Sequence, residues 1–135
     1  MRKWMLLVAA GLLMSVLLSA CSGQPQIVVS ETAIQLGDVV NGEIIERDLR
    51  VENTGEAALT IDAVTTSCGC TQASVEPTTI PPGGSGTLHI EFDSGAHGPE
   101  LTGELIRQVF VASNDPQQPE LVVELAATIL SPAAP

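Results

Sequence analysis

The stretch Thr87-Leu88-His89-Ile90-Glu91-Phe92-Asp93 alternates polar and apolar side chains along its whole length. Successive side chains of a β-strand point to opposite faces of a sheet. The alternation therefore predicts a strand with Leu88, Ile90 and Phe92 in a core and its polar face towards solvent. The same period marks the last strand, whose apolar residues share one face: Leu121, Val123, Leu125, Ala127 and Ile129. These stretches predict a domain built from β-strands.

Turn signals separate further short strands on both sides of this stretch. Asn41-Gly42 and Asn53-Thr54-Gly55 predict tight turns, because Asn and Gly tolerate positive φ. Ile44 to Asn53 predicts a strand with Ile45, Leu49 and Val51 facing inwards. About seven strands, with turns roughly every ten residues, predict an all-β, immunoglobulin-like sandwich of antiparallel strands over residues 27–130.

Residues 1–20 predict a cleaved secretory signal peptide, because a basic start precedes a continuous apolar run from Met5 to Leu18. That run is shorter than the roughly 20 residues that span a bilayer core. The sequence Leu18-Ser19-Ala20-Cys21 resembles the lipobox of bacterial lipoproteins. This resemblance implies cleavage before Cys21, a diacylglyceryl group on its sulfur and an acyl chain on its amine, so that acyl chains attach the protein to a membrane.

The segment after the leader divides into a lipidated cysteine with a short linker (residues 21–26), the sandwich (27–130) and a C-terminal tail (131–135). The expected location is the cell envelope, facing the periplasm or the exterior. Because Ser22 follows the cysteine, the lipoprotein resemblance implies the outer membrane if the cell is diderm. The linker itself is residues 22–25. It keeps the domain close to the membrane, since four extended residues reach only about 14 Å.

The charge of the chain excludes nucleic acid as a partner. Without residues 1–20 the chain keeps three of its five basic residues (Arg47, Arg50 and Arg107) against all 16 acidic residues, a net charge of −13. Nucleic-acid binding depends on Lys and Arg that neutralise phosphates. The same composition leaves no basic patch for anionic lipid, so the predicted membrane attachment rests on Cys21.

Cys68 and Cys70 are separated only by Gly69 and are the chemically suggestive pair of the chain. Three interpretations stay open: a structural turn, bridged or packed; a redox-labile disulfide, because a Cys-x-Cys bridge closes a very small ring; and a soft-metal site for Cu(I) or zinc. His89 and His97 are the only imidazoles that could add to the pair. No nucleophile, metalloprotease or phosphate-loop motif is present, so we predict no catalytic residue, no cofactor and no enzyme activity.

Two arginines lie where apolar residues are expected. Arg47 and Arg107 each fall in the apolar phase of their strands. The favoured hypothesis is snorkelling at the rim of the sandwich with an acidic partner. The alternative hypothesis is an inward ion pair that holds the strand register.

A series of short motifs resembles a bacterial domain family of unknown function, similar to the Hydin-type (ASH) and major-sperm-protein immunoglobulin-like domains. The resemblance covers about residues 27–130, with one departure: Leu36 stands where an aromatic residue is common. It implies a seven-stranded sandwich, often secreted or lipid-anchored, and no known activity. The motifs are Leu36-Gly37-Asp38-Val39, Val51-Glu52-Asn53-Thr54-Gly55, Thr66-Ser67-Cys68-Gly69-Cys70-Thr71, Ile80-Pro81-Pro82-Gly83, Phe92-Asp93-Ser94 and Ser113-Asn114-Asp115-Pro116.

Together these features predict a membrane-anchored envelope lipoprotein with a non-enzymatic structural or protein-interaction domain. Its expected partner is another envelope protein, bound at exposed strand edges. The alternative prediction, from a different functional class, is a thiol-redox or soft-metal-handling protein that acts through Cys68 and Cys70.

Overall fold

The computed structural model describes residues 23–132. The regular secondary structure in that range consists of β-strands alone. Within it, nine strands follow one another: β1 (Ile27–Val29), β2 (Ala33–Val40), β3 (Ile44–Asn53), β4 (Leu59–Thr66), β5 (Thr71–Glu76), β6 (Thr79–Ile80), β7 (Ser85–Asp93), β8 (Gly103–Ser113) and β9 (Glu120–Leu130). Residues 23–132 contain no helix with the length and apolar character that a membrane crossing requires. The predicted signal peptide and Cys21 lie outside the described residues.

The strands form two sheets, and the predicted immunoglobulin-like sandwich is confirmed. One sheet has the order β1-β3-β7-β5 and the other β2-β9-β8-β4-β6. The prediction of uniformly antiparallel strands is wrong for one pair, because β2 runs parallel to β9. The reason is that the chain changes sheets between Val29 and Ala33: β1 pairs with β3, and β2 continues in the same direction beside β9. This change, together with the two-residue β6, also raises the strand number from about seven to nine.

Alternating side chains from both sheets form one apolar core. Leu88, Ile90 and Phe92 of β7 are at most 1% exposed, as their alternation predicts. On β3, Leu49 and Val51 are buried and Ile45 is partly buried against the core. Each of the fully buried side chains contributes about 1.5–3 kcal/mol by leaving water. Because that gain requires both sheets at once, the core fixes which face of each strand points inwards.

The two ends of the sandwich hold different parts of the chain. The N-terminal end contains residues 23–26 beside the turn after β3, where the N–H of Thr54 donates to Gln26 O and that of Glu56 to Gln24 O. The opposite end, which we name the cysteine end, contains the β2–β3 turn, residues 67–70 and the loop 94–102. The nine residues of β7 join the two ends and span about 27 Å.

Candidate functional site

The cysteine motif forms the tight connection between β4 and β5. The hydroxyl of Thr66 donates to the carbonyl oxygens of Cys68 (3.0 Å) and Thr71 (2.9 Å), and the N–H of Thr71 donates to Cys68 O (3.2 Å). The N–H of Asp93 donates to Cys70 O at 2.8 Å, which ties the turn to the end of β7. Backbone and side-chain bonds from two strands therefore hold the two cysteines in place.

The sulfurs of Cys68 and Cys70 are joined as a disulfide, with the Cα atoms 5.2 Å apart. The two sulfurs have different surroundings. Cys70 is 3% exposed and belongs to the core, whereas Cys68 is only partly buried at its edge. The N–H of Cys70 also donates to Cys68 Sγ at 3.1 Å. One cysteine of the pair is thus partly exposed and the other is enclosed.

His97 lies beside the accessible sulfur. Its Nε2 is 2.9 Å from Cys68 Sγ. A disulfide sulfur has no proton to donate, so this contact requires the tautomer with the proton on Nε2. The amide of Asn41 holds the surrounding loop by donating to Gly98 O and Leu101 O, both at 2.9 Å. The β2–β3 turn thereby positions a histidine that is far from the cysteines in sequence.

Arg107 contacts the enclosed sulfur. Its Nε donates to Cys70 Sγ at 3.2 Å, and its Nη1 donates to Ile106 O at 2.9 Å. The side chain is partly buried in the inward phase of β8. Both earlier hypotheses for Arg107 required an acidic partner, and no carboxylate lies within ion-pair distance of it among residues 23–132. The structure therefore replaces the predicted ion pair with a contact between guanidinium and sulfur.

Arg47 behaves differently from Arg107 although both occupy the apolar phase of a strand. Arg47 is exposed, and its Nη1 donates to Glu46 O at 2.8 Å. The inward ion pair is therefore wrong for Arg47. The acidic partner that the snorkelling hypothesis predicts is also missing, since no carboxylate lies within ion-pair distance of Arg47 in the described part of the chain.

Three soft-metal ligand atoms lie together at the cysteine end. The two sulfurs and an imidazole nitrogen of His97 are all within 4.8 Å of one another. In the disulfide both sulfurs lack the thiolate charge that metal binding needs. A metal would therefore require reduction of the bond first, and zinc would still require about one more ligand.

His89, the second imidazole, belongs to a separate place on the sandwich. Its Nδ1 is 2.6 Å from Asp48 Oδ1 on the neighbouring strand β3, and both side chains are exposed. The hydrogen bond with Asp48 raises the pKa of His89 above its ordinary value of 6.5. Desolvation opposes this shift, and the charges of Asp48, Glu46 and Glu91 each add a smaller contribution to it. The structure thus brings His97, and not His89, to the cysteines.

Two buried polar residues outside the cysteine end belong to two of the other sequence motifs. Asn53 is 1% exposed; its amide donates to Ala57 O and Ile80 O, and its oxygen accepts the N–H of Gln26 and Gly55. Asp115 is 2% exposed and accepts the N–H of Ile27 at 2.9 Å. The sequence analysis placed Asn53 in a predicted turn but predicted neither set of buried bonds, although Asn before Thr-Gly and Asp before Pro are local signals for side-chain-to-backbone bonds.

Comparisons with solved structures show the same fold in unrelated settings. An uncharacterised protein of Porphyromonas gingivalis W83 is 24% identical, with a TM-score of 0.66 over 77% of this chain and 46% of its own. The ASH/PapD-like domain 7 of human CEP192 is 13% identical, with a TM-score of 0.59 over 82% of this chain and 89% of its own. The periplasmic chaperone SfaE is 13% identical, with a TM-score of 0.52 over 82% and 61%.

Several of these relatives are longer than the region that matches. The chain spans about half the length of the Porphyromonas protein, and the VesB and VesC proteases of Vibrio cholerae match over only 32% and 22% of their chains. No curated protein sequence matches this chain. A family model described as a protein of unknown function matches residues 27–129, which is nearly the whole sandwich. The chain therefore belongs to the DUF1573 family of proteins of unknown function.

Proposed function

We propose that the chain is a lipid-anchored envelope protein whose sandwich binds another envelope protein without catalysing a reaction. The observation that carries this proposal is an unpaired strand edge. On one side, β7 pairs with β3 from Ile44 to Glu52; on the other side, β1 pairs with β3 only from Val51 to Asn53. Among residues 23–132 no strand continues the place of β1 along Ile44–Leu49.

The hydrogen bonds at the two ends of β3 show which of its backbone groups face the open edge. In an antiparallel ladder, residues that bond to the neighbour alternate with residues that face away. The N–H of Asn53 donates to Gly84 O, and the carbonyl of Glu43 accepts the N–H of Ser94, both at 3.0 Å. Odd-numbered residues of β3 therefore bond towards β7. The N–H and C=O groups of Ile44, Glu46 and Asp48 face the open edge, where an added strand would satisfy them. At Glu46 O such a strand would replace the bond from the exposed side chain of Arg47.

The side chains along this edge indicate the chemistry of the partner strand. Ile44 is 61% exposed, and Glu46 and Asp48 are exposed acids on the same face. A strand with an apolar residue opposite Ile44 and basic residues opposite the two acids complements this surface. The strongly acidic composition of the chain favours a basic partner in the same way.

The predicted anchor presents this edge away from the membrane. Residues 23–26 are bonded to the N-terminal end of the sandwich, so acyl chains on Cys21 would hold that end at the bilayer. The open edge begins at the cysteine end, about 27 Å away along the strands. The fold likeness to the periplasmic chaperone SfaE supports a binding role.

The test uses the full-length protein in intact cells. A photo-crosslinking residue replaces Asp48, and Glu46 is changed in the same protein to proline or to alanine. Because the N–H of Glu46 faces the open edge, Glu46→Pro removes a free donor without breaking the ladder to β7. Glu46→Ala removes only the side chain and is the matched control. We expect one crosslinked partner with Glu46→Ala and loss of that product with Glu46→Pro. Equal crosslinking in two variants that unfold at the same temperature would reject binding at this edge.

The anchor is tested separately. We expect Cys21→Ser to lose incorporated palmitate and to move from the membrane fraction to the soluble fraction. A Cys21→Ser protein that still carries palmitate and stays with the membranes would contradict lipidation at this residue. The double change Cys68→Ser/Cys70→Ser should leave crosslinking at Asp48 intact, since neither cysteine lies on β3.

A further inference from the structure

We propose that the Cys68–Cys70 disulfide exchanges with a dithiol of a partner protein, with Cys68 as the attacked sulfur and Cys70 as the leaving sulfur. This activity is separate from binding at the β3 edge. It rests on the unequal surroundings of the two sulfurs and on the two basic side chains that contact them.

Accessibility selects the sulfur that is attacked. A thiolate must approach a disulfide sulfur directly, so access decides which of the two reacts. Cys70 is 3% exposed and packs in the core, while Cys68 is partly open at the cysteine end, beside the exposed His97. An incoming thiolate therefore reaches Cys68 Sγ first. The opposite end of the sandwich holds the N-terminal segment, so this sulfur faces away from the predicted anchor.

Arg107 stabilises the sulfur that leaves. When a partner thiolate bonds to Cys68 Sγ, the Cys68–Cys70 bond breaks and its electron pair goes to Cys70 as a thiolate. The guanidinium of Arg107 is always charged, and its Nε already lies 3.2 Å from Cys70 Sγ. A hydrogen bond from a cation to a thiolate is stronger than one to a neutral sulfur. The hydroxyl of Thr71, 3.6 Å from the same sulfur, adds a second donor.

The second step releases the partner in its oxidised form. The second thiolate of the partner attacks the partner's own sulfur in the mixed disulfide, which breaks the bond to Cys68 and leaves Cys68 as a thiolate. His97 Nε2, 2.9 Å from that sulfur, is placed to donate to it. The partner dithiol loses two electrons and two protons and gains a disulfide. Cys68 and Cys70 accept the two electrons, and the protons pass to the thiols or to solvent.

The chain supplies a matched control for Arg107. Arg47, which is exposed, and Arg107, which is partly buried, both fall in the apolar phase of a strand. The Nη1 of each donates to the carbonyl of the preceding residue, at 2.8 Å and 2.9 Å. Only Arg107 also reaches a sulfur. Arg47→Gln and Arg107→Gln therefore remove the same charge from similar strand positions, and their difference reports the contact with Cys70.

The rate test uses the full-length protein in detergent micelles with dithiothreitol as the dithiol. Samples are quenched with acid and alkylated, and the reduced fraction is read from the intact mass. We expect Arg107→Gln to slow reduction about ten-fold, which is about 1.4 kcal/mol in activation free energy, and Arg107→Lys to restore part of the rate. Arg47→Gln should react at the wild-type rate. Equal rates for wild type and Arg107→Gln would reject the assigned role of Arg107.

Mapping the mixed disulfide tests the order of the sulfurs on the unchanged protein, so it does not depend on whether a variant folds. Wild-type protein is mixed briefly with glutathione and quenched with excess N-ethylmaleimide, which blocks the liberated sulfur. We expect glutathione on Cys68 and maleimide on Cys70. Glutathione on Cys70, or a disulfide that resists a dithiothreitol concentration sufficient to reduce a linear peptide disulfide, would overturn the proposal.

Discussion

The carboxylate of Asp115 accepts the backbone N–H of Ile27 at 2.9 Å, although the two residues are 88 positions apart in sequence. The same carboxylate accepts the N–H groups of Gln117 (2.8 Å) and Gln118 (3.2 Å). Burial alone would raise the pKa of Asp115, but the three N–H donors outweigh it and hold the pKa below its ordinary value of 3.8. The first strand is thus joined to the β8–β9 connection by a charged acceptor.

This contact predicts a pH dependence of stability. Because the pKa of Asp115 is lower in the folded chain than in the unfolded chain, its stabilisation is present above the unfolded pKa and is lost as pH falls through the folded pKa. We expect Asp115→Asn to lower the free energy of unfolding by about 2 kcal/mol at pH 7 and to show a flatter decline in acid. Urea unfolding at pH 7 and below pH 4 measures both effects. Parallel declines in the two proteins would contradict the assignment.

We expect replacement of Asn53 to cost more stability than replacement of a similar asparagine near the surface. Its buried side chain joins four backbone groups, and removing it leaves carbonyls such as Ile80 O without a donor. We expect Asn53→Ala to cost about 2–3 kcal/mol in unfolding free energy. Asn114 also bonds to the backbone, at Thr60 N and Ala58 O, but it is exposed. Asn114→Ala should cost less than Asn53→Ala, because water replaces its bonds, and equal losses would refute this explanation.

The turn after β3 has no room for a Cβ atom at Gly55. A Cβ at this position would overlap backbone atoms of Gln24, Pro25 and Gln26, whereas a Cβ at Gly69 would meet nothing within 4 Å. Backbone atoms cannot move aside as a flexible side chain does, so we expect Gly55→Ala to lower stability by about 2 kcal/mol or more. Gly69→Ala should stay within about 0.5 kcal/mol of wild type. Thermal unfolding of both variants measures the difference.

We expect the titration of the His89 imidazole to depend on Asp48. The hydrogen bond to Asp48 raises the pKa of His89 in the folded chain, so its stabilisation is present below pH 6.5 and is lost as pH rises through the folded pKa. We expect Asp48→Asn to lower the pKa of His89, measured from its imidazole resonances by NMR. Asp62→Asn, on β4 of the other sheet, is the control and should leave that pKa unchanged. A shift from both variants would point to net charge instead of the specific bond.

The buried faces of the strands could be predicted because they depend on local periodicity. Leu88, Ile90 and Phe92 alternate in sequence and are all buried in the structure. The parallel pairing of β2 with β9 could not be predicted in this way. Its residues carry the same apolar alternation whichever neighbour they have, and the neighbour is decided by where the chain crosses between the sheets.

Local sequence patterns could not predict the side chains that surround the cysteines either. Cys68 and Cys70 stand out in the sequence because they are almost adjacent. His97 and Arg107 lie 29 and 37 positions away from the sulfurs that they contact. In the sequence, Arg107 stands out only as a charge in an apolar phase. Its role emerges because β8 and the β4–β5 turn come together at the cysteine end.

The sequence by itself determined which residues form strands and turns, since side-chain alternation and the backbone preferences of Asn, Gly and Pro act over a few residues. It also determined that the chain is strongly acidic and holds a Cys-Gly-Cys motif. Only the tertiary structure decided which sulfur is enclosed, which basic groups contact each sulfur and which strand edge stays open. These properties depend on the packing of two sheets, because the shared core brings together residues that no local preference connects.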